Sequence, residues 1–188
     1  MIATRAKSAV LEPKGVLRMA TGADLFIDAF TRIRGVVHSV VDGLSGEQLE
    51  HRLDRKANSI AWLVWHLTRI QDDHVAHVAG TEQVWTSGGW LERFGLPFDP
   101  SATGYGHGPD DVAAVKVQSG DLLLGYHDAV HQETTAYVRG LTEPDFDRIV
   151  DESWNPPVSL GVRLVSVISD DLQHAGQAAF VRGLLPSH

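Results

Sequence analysis

The sequence predicts an all-α fold, a four-helix bundle with long connections after its second and third helices. Three observations predict it. Four segments repeat apolar residues at the three- and four-residue spacing of an amphipathic helix. Gly and Pro punctuate the ends of those segments. No segment alternates apolar and polar residues as a half-buried strand does.

Residues 1–21 show weak periodicity, with Pro13 and Gly15 as breakers, and read as an N-terminal arm before a domain over 22–188. The first helix is expected from Ala23 to Val41, with Leu25, Phe26, Ala29, Ile33, Val36, Val37 and Val40 inward and Gly43 as the stop. Ser45 then caps a short turn through Leu49. The second helix starts at a cap on Asn58 or Ser59. It carries the stripe Ile60, Leu63, Val64, Leu67, Ile70 and runs to Val78, with Gly80 just beyond.

Residues 80–110 are rich in Gly, Pro, Ser and Thr and are long for a bundle connection, a length often put to functional use. Short helical turns fit around Trp90 to Phe94 and Asp110 to Val117. The third helix is expected over Asp121 to Arg139, with Leu123, Tyr126, Val130, Tyr137 and Val138 inward and Gly140 at its end. A second connection closes on Pro156 and Pro157, which no helix interior tolerates. The fourth helix runs from Val158 to Leu185, with Leu164, Val167, Ile168, Ala175, Ala178 and Val181 inward and Gly183 and Pro186 at its end. Two long connections permit an order other than simple up-down-up-down.

The 188 residues suffice for one domain with a real core. A formal net charge of -8 argues against non-specific nucleic-acid binding and against docking on anionic lipid. The absence of Cys excludes disulfides, thiolate ligands and a Cys nucleophile. No run has the length of a signal-peptide core or a membrane span, so a cytoplasmic location is expected.

Chemistry concentrates on the second and fourth helices. His66 lies at the edge of an apolar stripe and should point inward. Asp170 and His174 are four residues apart, hence about 40° apart around the axis and able to share one cation. A carboxylate on that apolar face is costly unless a cation or a protonated His accompanies it. Asp171, three residues before His174 and nearer the centre of the apolar face, competes with Asp170, and spacing alone does not choose.

Other candidates carry duller readings. His127 and His131 have ligand spacing, with Glu133 nearby, but sit beside their helix's stripe and read as rim residues. His74 and His77 either line a pocket mouth or are solvated. His77 is about 16 Å along the helix from His66, too far to share an ion. Trp62 and Trp65 read as core or groove wall, and Trp85, Trp90, Phe94 and Tyr105 as an apolar lid or a satellite cluster holding the loop. Gln177 shares a face with His174 and is a candidate partner behind it. Arg69 and Arg163 could receive an anion, but surface salt bridges are the plainer explanation. Gly104 to Gly108 lacks the strand–loop–helix setting of a phosphate loop.

WLVWHLTR followed by DDLQHAGQ resembles the DinB-like superfamily, over residues 23–185. That family joins a His on the second helix to a His-x-x-x-His pair, followed by Gly and Gln, on the fourth. Here His174, Gly176 and Gln177 match, and Asp170 stands where the first His would be. A carboxylate there resembles the mycothiol-dependent maleylpyruvate isomerase branch, which has Glu where this chain has the shorter Asp. The resemblance therefore implies Asp170 rather than Asp171 beside His66 and His174. It also implies a divalent metal, zinc first, with nickel, iron or manganese fitting the same donors.

Three protein ligands leave a coordination position open, as catalytic metals require. The implied activity is an S-transferase or isomerase using an external thiol such as mycothiol or bacillithiol on a small-molecule substrate. Two alternatives share the same first shell: a metal-dependent hydrolase, and a non-catalytic small-molecule-binding or stress-related bundle. Pairing into a homodimer through exposed helix faces is compatible with the pattern.

Overall fold

The computed structural model describes residues 20–185. Residues 1–19 of the expected arm and the stop at Pro186 lie outside the described residues.

Four long helices form where the stripes lie. α1 spans Gly22–Val41. The Thr21 hydroxyl accepts from the Asp24 N–H, and the Asp24 carboxylate accepts from the Thr21 N–H, which satisfies two otherwise orphaned donors. α2, Gly46–Glu50, carries the same device on Ser45 and Gln48. α3, Ile60–Ala79, is capped by Ser59 and stopped by Gly80 at φ 69°, a left-handed geometry that suits a glycine. Three short helices punctuate the long connection: α4 (Val84–Ser87), α5 (Trp90–Phe94) and α6 (Pro109–Ala114). α7 spans Gly120–Arg139, and α8, capped by Ser159, spans Leu160–Gly183.

The second connection holds a 3-10 turn at Glu143–Asp147 and a two-stranded antiparallel sheet. Its strands are β1 (Ile149–Asp151) and β2 (Val158–Ser159), too short to show an alternating pattern. Val158, expected as the start of the fourth helix, is therefore in a strand.

Contacts fix the arrangement. α1 packs on α7 and α8, and α3 packs on the same two helices, so α7 and α8 sit on opposite corners. Gly120 abuts Val41 while Thr31 reaches His131, so α1 and α7 are antiparallel. Thr68 meets His127 and Tyr137 reaches the Val78 carbonyl, so α3 and α7 run parallel. Arg163 meets His74 while Gln177 and Leu63 line one cavity, so α3 and α8 are antiparallel. The bundle is up-down-down-up, and the connection over 80–119 is what lets two successive long helices run the same way.

One core joins all four helices, from Phe30, Ile33 and Val37 through Leu63 and Leu67 to Leu123, Val130, Leu164 and Val167. Leu25 departs from expectation. It is 65% exposed because it lies more than 100° around the axis from the centre of the arc that α1 buries. Val36, Ile70, Tyr137 and Ile168 are only half-buried. Among the described residues, no helix is long and apolar enough to cross a membrane.

Candidate metal centre

His66 on α3 and Asp170 and His174 on α8 meet at the seam between those helices. One ligand atom from each lies within 4.8 Å of the others. The two imidazole centroids are 4.7 Å apart, with the rings at 74°. Both imidazoles have Nδ1 engaged elsewhere, which leaves the Nε2 edge of each for the cluster.

For His66, Nδ1 donates to the Thr103 carbonyl at 2.6 Å. A carbonyl can only accept, so this bond fixes the tautomer and leaves the Nε2 lone pair free. For His174, Nδ1 lies 3.3 Å from Gln177 Oε1, and Nε2 lies 3.6 Å from Asp170 Oδ1. The other Asp170 oxygen, Oδ2, is buried with no hydrogen-bond partner. An unpaired carboxylate oxygen beside the His66 Nε2 lone pair and the Nε2 of His174 is the arrangement a divalent cation satisfies.

The electrostatics at His66 and Asp170 agree with the geometry, while His174 leans towards a proton that a cation would displace. Burial lowers the His66 pKa, and the Thr103 bond only partly opposes it, so the ring is kept neutral and ligand-competent. Burial pushes the Asp170 carboxyl up, but the contact with His174 and the nearby His66 and His74 bring it below its usual value. Asp170 in turn holds His174 above its usual value, against the effect of burial.

The long loop is built to reach this point. Gly104 has φ +94°, and a Cβ there would stand 2.7 Å from His66 Nδ1 and 3.1 Å from the Trp65 ring. Only glycine lets the backbone come this close. Trp62 stacks on His66 at 4.6 Å and 14° and meets His174 edge-on. The Trp62 indole N–H donates to His107 Nδ1 at 3.2 Å, and His107 stacks on Trp65. Sequence alone assigns Thr103 and His107 no role at the site and weighs Gly104 to Gly108 only as a phosphate loop, which it lacks the setting to be. A backbone carbonyl has no residue code.

The remaining candidates fall elsewhere. Asp171 is fully buried in the core, and neither of its oxygens has a partner. Burial, with the neighbouring Asp170 charge, pushes its carboxyl well up, which favours the neutral acid over a ligating carboxylate. His74 is half-buried 3.3 Å from Arg163, which also pairs with Asp151 at 2.7 Å, and His77 is exposed. Trp90 packs on Tyr126 and against Gly125 of α7, with Trp85 and Phe94 on the same tyrosine. These aromatics form the satellite cluster, not a lid, and Tyr105 is exposed.

Two sequence expectations are overturned. His127 is not a rim residue: it is fully buried, donates from Nδ1 to the Thr68 hydroxyl at 3.1 Å, and burial lowers its pKa to about 3. Its position beside the stripe faces α3 rather than solvent, because α7 is covered on two sides. Arg69 is neither an exposed ion-pair partner nor an anion receptor. It is fully buried with Asp72 at 3.5 Å, bridged by the Tyr126 hydroxyl, and it holds the Ala102 carbonyl.

Comparisons with known proteins bear on this geometry. A family model described as Mycothiol-S-transferase matches residues 25–186. A search of curated proteins returns no match. Among solved structures, the crystal structure of a conserved protein from Enterococcus faecalis is similar at a TM-score of 0.80 and 28% identity. The likeness covers 85% of this chain and 94% of that one.

Proposed function

The chain belongs to the mycothiol-S-transferase family, a DinB-like family, and from that premise we propose that it is a metal-dependent S-transferase acting with an external low-molecular-weight thiol. His66, Asp170 and His174 are the residues that would hold the metal. Two imidazoles and one carboxylate suit zinc first, and three ligands are one short of a closed structural site. A divalent cation there supplies positive charge that favours thiolate over thiol at neutral pH. The sulfur must come from outside, since the chain has no cysteine.

The chain's own residues do the rest. The Thr103 carbonyl holds His66 with its proton on Nδ1. Gln177 orients His174 through Nδ1, and Asp170 places a carboxylate beside its Nε2. Trp62 forms a flat apolar wall over His66 that keeps bulk water from one side of the ligand cluster. His107 accepts the Trp62 indole proton at Nδ1, so its neutral ring carries a proton on Nε2. Burial lowers its pKa and keeps it neutral. It is a hydrogen-bond donor at the edge of the site.

The observation that carries this reading is the convergence of three ligand atoms from two helices within 4.8 Å, in a chain whose family is named for a thiol transfer. The test is the rate of mycothiol consumption with an alkylating acceptor by zinc-loaded protein. The expected result is turnover that chelation removes and zinc restores, and that His66→Ala lacks. Turnover untouched by chelation and by His66→Ala would overturn it.

A further inference from the structure

The seam between α3 and α8 is unlike itself on the two sides of the ligand cluster. Towards the C-terminal end of α3 it carries His74, Arg163 and Asp151, bound to one another. Towards the N-terminal end it opens into a groove of about 420 Å³, lined chiefly by Leu53, Ala57, Leu63, Gln177, Phe180 and Val181. That is the small end of the range of about 300–1,000 Å³ seen for small-molecule pockets. No charged side chain lines it.

The groove starts where the ligands end. Leu63 lies one turn, about 4.5 Å along the axis, before His66, and Phe180 one turn beyond Gln177. Gln177 belongs to both regions: its side-chain carbonyl meets His174 Nδ1 at 3.3 Å, and it lines the groove. At the mouth, Phe180 is 64% exposed and Leu53 44% exposed. Two large apolar side chains held in water at the rim of a concave apolar surface mark a binding site more than a stability device.

We propose that this groove is the acceptor subsite: it takes the hydrocarbon part of an apolar electrophile and aims its reactive carbon at the ligand cluster, with Phe180 and Leu53 setting the preferred chain length. The inference rests on the S-transferase reading above for the reaction, though not for the binding. Continuity with the ligand cluster through Gln177 selects a small substrate over a docked helix. The uncharged lining selects an apolar acceptor over the hydrophilic thiol.

The reaction with a 1,2-epoxyalkane balances without a further reagent. The sulfur of the thiolate attacks the terminal ring carbon, an S–C bond forms and a C–O bond breaks. The C–O electron pair stays on oxygen, and the proton given up by the thiol ends on that alkoxide, yielding a hydroxy thioether.

The experiment uses zinc-loaded full-length protein, saturating mycothiol and the series 1,2-epoxybutane, 1,2-epoxyhexane and 1,2-epoxyoctane. It is paired with calorimetric binding of octane-1,2-diol, which cannot react. Burial of each methylene should raise kcat/KM by about two- to fourfold. Phe180→Ser and Leu53→Ser, both at exposed positions where folding is safe, should bring that ratio towards one and weaken diol binding about tenfold.

Diol binding with unreactive epoxides would sink the S-transferase reading and leave the groove standing. Turnover of the epoxides with no chain-length dependence would overturn the groove and leave the transferase. Diol binding equal in wild type and both variants would overturn it too. Sedimentation showing a dimer that Phe180→Ser splits, with the chain-length ratio unchanged, would assign the face to a second copy and overturn the proposal.

Discussion

Helix α3 sends polar side chains into two seams, and the seams treat them differently. Towards α7, the polar groups close on one another. Arg69, Tyr126 and Asp72 form a bridged pair, Gln71 donates to Thr134 at 2.8 Å, and Thr68 receives His127. The Asp72 carboxylate also accepts the Val84 and Trp85 N–H groups, which ties α4 to the bundle. Towards α8, the groups converge and stay open: two imidazoles and a carboxylate share one point, and Asp170 Oδ2 has no partner.

His127 Nε2 and Arg69 Nη2 also lack partners in the first seam. Yet among the described residues only the second seam brings three ligand groups within reach of one ion. Buried polarity by itself therefore says little about function. Convergence of unsatisfied acceptors says more.

The contrast breaks most sharply at Arg69. If the α3–α7 network is structural, Arg69→Ala leaves Asp72 buried beside its remaining donors and costs about 3–5 kcal/mol, or roughly 10 °C in Tm. Thermal denaturation checks this, and an unchanged Tm would move Arg69 out of the structural class.

The next effect is at His127. Its folded value of about 3 lies below the ordinary value for histidine of about 6.5. Between those values the unfolded chain binds a proton that the folded chain refuses. Stability from this group is therefore full above about pH 6.5 and drains as pH falls towards 3, by up to about 1.4 kcal/mol per pH unit. Urea unfolding of wild type and His127→Leu at pH 7 and at pH 5 measures it: the gap between the two should shift in favour of the variant at the lower pH. A gap that does not move with pH would contradict the buried neutral imidazole.

A smaller effect sharpens the other seam. Gly104→Ala must strain a backbone at φ +94° and crowd His66 Nδ1. Disturbing the Thr103 carbonyl behind a ligand should weaken metal binding about 10- to 100-fold while the fold persists. Chelator competition reads this directly, and unaltered affinity would show that the loop does not orient His66.

Much of the bundle was legible in the sequence, because caps and stripes are local. Ser59 and Gly80 bound α3 where their chemistry says they should, and Ser45 caps α2. The His66, Asp170 and His174 grouping was legible as a spacing plus a resemblance, and the structure brings these three side chains together. Asp171 against Asp170 was not legible from spacing, since both share a face with His174. Packing separates them, placing Asp171 in the core.

What stayed hidden depends on tertiary contacts. The role of Arg69 needs Tyr126, 57 residues away, to bridge it to Asp72. His127 looked peripheral on its own helix and is covered by α3. The hairpin at Ile149–Asp151 and Val158–Ser159 is too short to leave a periodic trace.

The most direct measurement is elemental analysis of protein purified without a histidine tag, alongside His66→Ala, Asp170→Ala and Asp171→Asn. One divalent cation per chain should accompany the wild type and Asp171→Asn and be lost from the other two. Metal that persists in Asp170→Ala, or a wild-type chain that takes up none when supplied with zinc, would contradict a centre built on these three side chains.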